Sequence, residues 1–107
     1  MEFKQLEMLV AVAEEGSIVR AAVRVFRTQP AVSMALGKLE KEVGEPLFHR
    51  TPRRHLRLTS AGEILCNYAR RMLALRNEAA ERVGRRTDGL DSRLRESPAP
   101  GPLAPIF

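Results

Sequence analysis

The residues best suited to chemistry in this sequence are arginines that crowd into a short stretch near its middle. Four of them fall within eight positions that contain no acidic residue, and they are Arg50, Arg53, Arg54 and Arg57. Guanidinium groups bind phosphate oxygens through paired N–H donors. The surrounding residues 49–86 hold ten basic and three acidic side chains, while the segments on either side each carry one net negative charge. This distribution favours a polyanionic partner for the middle of the chain.

A second set of polar and small side chains recurs at helical spacing just before the arginines. Val32, Leu36, Leu39 and Val43 step by four, three and four residues, which predicts a helix over 29–43 with this stripe in the core. The opposite side is polar or small, and it consists of Gln29, Ser33, Met34, Gly37, Lys38 and Lys41. In the DNA major groove, a glutamine can pair with adenine, a serine can donate or accept, and a methionine can contact a thymine methyl. These side chains are therefore candidates for reading base edges.

Catalysis and metal binding are disfavoured by the same residues. Cys66 is the one cysteine of the chain, so an intrachain disulfide and a zinc cluster are both excluded. His49 and His55 lie beside arginines, which discourage metal binding, and we interpret them as surface residues. Cys66 has no histidine near it in the sequence, and we interpret it as a packed or partly exposed helix residue. We expect no enzyme activity, no cofactor and no small-molecule site.

Composition and length limit the class of protein further. The 107 residues are 44% apolar and 29% charged, with a net charge of +5, as in an ordinary globular domain. The length allows one small domain. The apolar run from Met8 to Ala13 is short and has glutamates on both sides, unlike a signal peptide or a membrane span. We expect a cytoplasmic protein with no membrane partner.

Capping residues divide the N-terminal half into helices that position these side chains. Apolar residues recur at helical spacing up to Gly16, which predicts a first helix over 3–15. Ser17 can cap a short second helix through its hydroxyl. Thr28 can cap the third helix, with Pro30 in the first turn, where its missing N–H has no cost.

The arginine cluster lies between two short apolar segments. Leu47 and Phe48 precede it, and Leu56 and Leu58 follow it in alternation with basic residues, which predicts a two-stranded hairpin with a basic tip. Three helices followed by such a hairpin are the element order of a winged helix-turn-helix. In that fold the third helix enters the major groove, and the wing contacts phosphates or a narrow minor groove.

A long fourth helix follows over about 61–85, capped by Thr59 or by Ser60. Ser60 with Glu63 also fits a reciprocal capping box. One stripe of this helix repeats as a heptad, and this apolar seam consists of Leu65, Tyr68, Met72, Leu75 and Ala79. We expect the first turns, from Ile64 to Tyr68, to pack on their own domain, and the rest of the seam to bind a partner helix in a dimer.

The C-terminal segment has no core pattern. Four of the seven prolines lie in its last ten residues, so residues 87–107 are expected to be extended or disordered. The expected division is a DNA-binding domain over 1–59, a linker and dimerisation helix over 60–86 and a tail over 87–107. The expected fold class is mainly α, a winged helix-turn-helix followed by a long helix.

Three stretches, in order, resemble the N-terminal DNA-binding domain of LysR-type transcriptional regulators. They are AVAEEGSIVRAA, TQPAVSMALGKLEKEVGEPLFHR and LRLTSAGE. The resemblance implies a bacterial, nucleoid-associated repressor or activator whose fourth helix makes a dimer, with dimers often pairing into tetramers. It also implies that Gln29, Pro30 and Ser33 lie at the surface of double-stranded DNA, and that Arg53 or Arg54 acts in the wing.

The full set of expected DNA contacts is Ser17, Thr28, Gln29, Pro30, Ser33, Met34, Gly37, Lys38, Arg50, Arg53 and Arg54. Met34 and Gly37 stand where the family often has a basic residue, so we expect fewer phosphate contacts from the third helix. Family members usually continue into a periplasmic-binding-protein-like sensor domain, and the resemblance fades after about residue 86, so inducer sensing is not expected here. The alternative function is an interaction module, in which a short chain pairs with a full-length relative as a heterodimer without sensor function.

Overall fold

The computed structural model describes residues 1–49 and 55–89, which form four helices and a two-stranded hairpin. In chain order the elements are α1 (Phe3–Glu15), α2 (Ile18–Val25), α3 (Gln29–Val43), β1 (Phe48–His49), β2 (Arg57–Leu58) and α4 (Ser60–Gly89). The strands are antiparallel, with Phe48 opposite Leu58 and His49 opposite Arg57. The mainly helical, winged helix-turn-helix class is confirmed. Residues 90–107, most of the expected tail, lie outside the described residues.

Local capping sets the predicted limits of α1 and α3 and the start of α2. Gly16 and Gly44 follow α1 and α3 with φ values of 69° and 75°, in the left-handed region that closes a helix. The side-chain oxygens of Ser17 and Thr28 each accept a hydrogen bond, at 3.2 Å, from the backbone N–H three residues further on. The two left-handed glycines and the two capping hydrogen bonds each depend on residues close together in the sequence. For this reason the residue pattern alone predicts them.

The turn between α2 and α3 uses a left-handed residue that is not glycine. Phe26 has a φ of 58°. Its N–H donates to the carbonyl of Val23 at 3.2 Å, and the N–H of Arg27 donates to the carbonyl of Ala22 at 2.9 Å, so the end of α2 is closed. No sequence pattern marks Phe26 as a helix end, because side chains with a Cβ rarely adopt this backbone conformation.

Of the two predicted caps of α4, Thr59 is confirmed, and the helix extends beyond the predicted range 61–85 at both ends. Thr59 is the capping residue, since its hydroxyl accepts a hydrogen bond from the N–H of Gly62 at 3.0 Å. Ser60 is already helical, so the predicted capping box between Ser60 and Glu63 is wrong. At the other end the helix continues to Gly89, through residues expected to begin the tail. The first proline after the seam is Pro98, so no residue near 86 forces the helix to stop.

The core is formed by apolar side chains from α1, α2, α3, the start of the hairpin and α4. The buried residues are Leu6, Met8, Leu9, Val10, Ala11, Val12, Ala21, Ala22, Val32, Leu36, Leu39, Leu47, Phe48, Cys66 and Ala69. No polar or charged side chain is buried among the described residues. The core belongs to a first compact unit, Met1–Ala74, and a second unit begins at Leu75, within α4.

Candidate nucleic-acid interface

α3 separates a buried face from an exposed one. Val32, Leu36 and Leu39 are each at most 3% exposed, so they anchor the helix in the core. The surface that the core leaves uncovered, called here the outer face of α3, contains Gln29, Pro30, Ser33, Met34, Gly37 and Lys38. All of these are exposed except Gly37, which is half-buried. Met34 is 63% exposed, although it is a large apolar side chain.

The start of α3 and the start of α2 present hydroxyl groups. Thr28 is exposed and Ser17 is half-buried, and both side-chain oxygens already accept a capping hydrogen bond. A hydroxyl that accepts such a bond keeps its own proton for donation. Both side chains can therefore cap their helix and donate to an anionic group at the same time. The first turn of α3 also carries Gln29 in the exposed position next to the cap.

The base of the hairpin is anchored on the turn between α1 and α2. The N–H of Leu56 donates to the carbonyl of Gly16 at 3.0 Å. The imidazole of His55 lies so close to Gly16 that a Cβ added there would come within 2.6 Å of its Cε1 atom. A glycine is thus required at position 16 for two reasons, namely its positive φ and the closeness of the His55 imidazole. The contact ties the hairpin to the start of α2, where Ser17 lies.

A second set of hydrogen bonds holds the segments that lead into and out of the hairpin. The N–H of Leu47 donates to the carboxylate of Glu40 on α3 at 2.8 Å. The hydroxyl of Thr59 donates to the carbonyl of Pro46 at 2.7 Å, and its N–H donates to the carbonyl of Leu47 at 2.9 Å. The strands thereby place the exposed side chains of His49 and Arg57 at the base of the hairpin. The predicted wing contacts Arg50, Arg53 and Arg54 lie outside the described residues.

An ion-pair network that the sequence reading missed links α1, α2 and α4. The guanidinium of Arg24 lies 2.7 Å from Glu14 and 3.4 Å from Glu15, and Arg70 lies 3.3 Å from Glu14. The hydrogen-bonded guanidinium of Arg24 lowers the pKa of Glu14 below its ordinary value, and Arg70 acts in the same direction. Glu14 and Arg70 are far apart in the sequence, so no local spacing signals this contact.

The N-terminal half of the apolar seam lies in the first unit, where its members differ in burial. Leu65 and Met72 are half-buried and pack against the core, whereas Tyr68 is 53% exposed, with the guanidinium of Arg71 at 5.2 Å from its ring centroid. Ile64 is 61% exposed. The expectation that the turns from Ile64 to Tyr68 pack on their own domain is therefore confirmed for Leu65, whereas the side chains of Ile64 and Tyr68 are more than half exposed.

An open apolar groove of about 420 Å³ runs beside these residues of α4 in the first unit. Its lining includes Val43, Leu47, Ile64, Leu65, Tyr68 and Met72. In the second unit, Leu75 is 63% exposed and Ala79 is exposed. The seam residues Tyr68 and Leu75 are thus each more than half exposed, and Ala79 is exposed as well.

The part of the chain that the structure describes contains no cluster of three or more side chains that could hold a metal ion. None of its helices is long and apolar enough to cross a membrane. Cys66 is buried, and this burial raises the pKa of its thiol. His49 and His55 are exposed.

Comparisons with known proteins relate this architecture to one family. A family model described as "Bacterial regulatory helix-turn-helix protein, lysR family" matches residues 3–63. A "Probable RuBisCO transcriptional regulator" of Trichormus variabilis is 43% identical over 79 residues, which are 74% of this chain and 23% of that protein. This chain therefore spans about a quarter of the length of that relative.

Two solved structures share the fold. A crystal structure of a CbnR_DBD–DNA complex is similar with a TM-score of 0.76 and 36% identity, covering 81% of this chain and 99% of that chain. A crystal structure of a BenM_DBD complex with catB site 1 DNA has a TM-score of 0.79 and 31% identity, covering 83% of this chain and 98% of that chain. The similarity thus extends over nearly the whole length of both crystallised chains.

Proposed function

The chain belongs to the LysR family of bacterial regulatory helix-turn-helix proteins, and on this basis we propose that it is a sequence-specific DNA-binding transcriptional regulator. Binding, not catalysis, is its proposed activity. The observation that carries the proposal is the outer face of α3, which is uncovered while the opposite side of the same helix is anchored in the core. An α-helix held in this way fits the major groove of B-form DNA.

We propose that the outer face of α3 reads base edges. The amide of Gln29 supplies a donor and an acceptor that match adenine, and Ser33 supplies a hydroxyl that can donate or accept. Met34 offers an apolar surface to a thymine methyl, and the ammonium of Lys38 offers a charge to phosphate. The exposure of all four side chains supports this role.

The hairpin is proposed to add affinity and orientation. Its arginines Arg50, Arg53 and Arg54 carry positive charge that suits phosphates or a narrow minor groove, contacts that add little sequence choice. The support from the structure is the anchored base of the hairpin, since Leu56 is hydrogen-bonded to Gly16 next to the start of α2. Ser17 and Thr28 are proposed to donate their hydroxyl protons to the same DNA backbone.

The seam of α4 is proposed to pair with a second copy of the chain. Tyr68 and Leu75 are large, apolar and more than half exposed, which is unfavourable in a monomer and favourable at an interface. A homodimer presents two copies of α3 to two half-sites of DNA, which raises the affinity through effective concentration. The 3.5-residue period of the seam is typical of paired helices.

Selection of duplexes from a random DNA pool by the purified 107-residue chain tests this function. We expect enrichment of one sequence with two symmetric half-sites, whose spacing reports the geometry of the dimer. The enriched site, called here the selected site, then serves for titrations at several salt concentrations. A chain that binds no duplex at low ionic strength, or that enriches no sequence, contradicts the proposal.

A further inference from the structure

Gly37 occupies the middle of α3, where glycine is an unfavourable choice. Apart from proline, glycine has the lowest helix propensity of any residue, because it loses the most backbone freedom on folding. Gly37 lies well inside the helix Gln29–Val43, away from either cap. A glycine in such a position calls for a physical reason.

Neither the backbone nor the packing of the described residues requires it. The described glycines with a positive φ are Gly16 and Gly44, and Gly37 is not among them. Leaving aside its two chain neighbours and the adjoining backbone of α3, no heavy atom of the described residues lies within 4 Å of a Cβ built on Gly37. Gly16 differs on both counts, since it has a positive φ and the imidazole of His55 against it. Neither a positive φ nor a close neighbour in the described chain thus requires a glycine at position 37.

The location of Gly37 on α3 indicates which part of the surface its missing side chain leaves open. On a helix, the neighbours of residue 37 are residues 33 and 34 one turn before it and residue 41 one turn after it. A side chain at this position leans toward the N-terminus and covers the surface beside Ser33 and Met34. Without it, that part of the outer face of α3 is open to close approach, and the side chain of Met34, one turn before it, is exposed. We call this open surface between Gly37 and Met34 the notch.

We propose that the notch accepts the 5-methyl group of a thymine and so makes Gly37 a specificity-determining residue, an inference that rests on the proposed function. The two residues of the notch present a methylene and a thioether side chain, neither of which is a strong hydrogen-bond donor or acceptor, and the hydroxyl of Ser33 lies beside the notch and not within it. The one apolar group that a base pair presents in the major groove is the thymine methyl. The missing Cβ of Gly37 permits a close approach between α3 and the base pair. A methyl group then gains more than a polar group from contact with an apolar surface.

The first test compares Gly37→Ala with Gly84→Ala, a matched control. Gly84 lies in α4, and apart from its chain neighbours and the adjoining helix backbone no described heavy atom is within 4 Å of a Cβ built there, so this change also fills open space on a helix. We expect Gly37→Ala to raise the Tm of the chain by about 4–8 °C, because alanine is the better helix former. Its affinity for the selected site is expected to fall by about tenfold, because the added methyl occupies the notch. Gly84→Ala is expected to keep the affinity within about twofold of the wild type.

The second test removes the thymine methyl without changing any hydrogen-bonding group. Each thymidine of the selected site is replaced in turn by deoxyuridine, and binding is measured by fluorescence anisotropy. We expect one position in each half-site to weaken wild-type binding by about fourfold, the effect of burying one methyl-sized group. The same replacement is expected to leave the affinity of Gly37→Ala unchanged, because its notch is already filled.

The results separate this inference from the function on which it rests. If the wild type enriches no site, the proposed function fails and the notch fails with it. If the wild type binds a selected site but Gly37→Ala binds it as tightly, or if no deoxyuridine weakens wild-type binding, the notch is overturned while the regulator function stands. A loss of affinity in Gly37→Ala together with a lower Tm also overturns it, since the loss then follows from damage to the fold.

Discussion

The outer face of α3 and the seam of α4 are both exposed, but they differ in chemistry. The outer face of α3 carries an amide, a hydroxyl and an ammonium group, in Gln29, Ser33 and Lys38, around one large apolar side chain. The seam of α4 instead exposes Tyr68 and Leu75. A face rich in hydrogen-bonding groups suits a wet, charged groove, whereas exposed apolar side chains suit a protein partner. Exposure alone does not identify a partner; the groups that are exposed do.

The largest effect is expected from placing a charge in the seam. Leu75→Glu is expected to yield monomers, because a carboxylate between paired helices loses its hydration. With one copy of α3 per particle, affinity for the two-half-site duplex is expected to fall by about 100-fold or more. Sedimentation and titration measure the two quantities.

Asn77→Glu is the control for this charge, because Asn77 is exposed on α4 but outside the seam. It is expected to remain dimeric. An intact dimer in Leu75→Glu would show that the dimer contact lies outside the seam. The seam of α4 would then no longer contrast with the outer face of α3 as a protein-binding surface.

On the outer face of α3, Gln29→Ala is expected to reduce the free energy of binding to the selected site by about 1–3 kcal/mol. The loss is expected at one base pair, since the amide is proposed to match adenine there. Titrations against all four base pairs at each position locate it. An equal loss of affinity on every DNA sequence would mean that Gln29 contacts DNA without reading a base.

A smaller effect is expected from the double substitution Arg53→Ala with Arg54→Ala. Two lost phosphate contacts lower the slope of log affinity against log salt by about 1.8, with similar weakening on selected and random duplexes. The ratio of the two affinities is therefore expected to stay constant. A changed ratio would give the wing a part in reading sequence, and an unchanged slope would remove these arginines from the DNA.

The smallest effect is expected away from both surfaces, at Glu14. Its pKa is lowered in the folded chain, so its contribution to stability is present above the ordinary value of 4.5 and is lost as the pH falls through the lowered value. Glu14 is substantially exposed, so Glu14→Gln is expected to reduce the free energy of unfolding at pH 7 by at most about 1 kcal/mol.

Urea unfolding at pH 7 and at pH 3 measures this contribution. The difference between Glu14→Gln and the wild type is expected to shrink at the lower pH. Glu78→Gln, at an exposed glutamate of α4, is expected to cost less at pH 7. A cost that does not depend on pH would mean that Glu14 acts through packing and not through its charge.

The sequence by itself determined the limits of α1 and α3, the start of α2 and the buried stripe of α3. Its capping residues, Ser17 and Thr28, bond to backbone only three residues away, and the left-handed Gly16 and Gly44 end their helices locally. The buried stripe follows from the 3.6-residue period of the helix. Five of the six residues on the outer face of α3 were predicted from the same period, whereas Pro30 was expected there from the resemblance; the sixth residue predicted from the period, Lys41, is also exposed.

Only the tertiary structure decided the features that depend on contacts between distant parts of the chain. The hydroxyl of Thr59, which caps α4 locally, also donates to the more distant carbonyl of Pro46. The network around Glu14 joins α1 to Arg70 of α4, and the exposure of Tyr68 depends on which side of α4 meets the core. Capping and periodicity are set within one or two helical turns, so they can be read from neighbouring residues. Contacts such as these form only when packing brings separate elements together, and no local pattern records that arrangement.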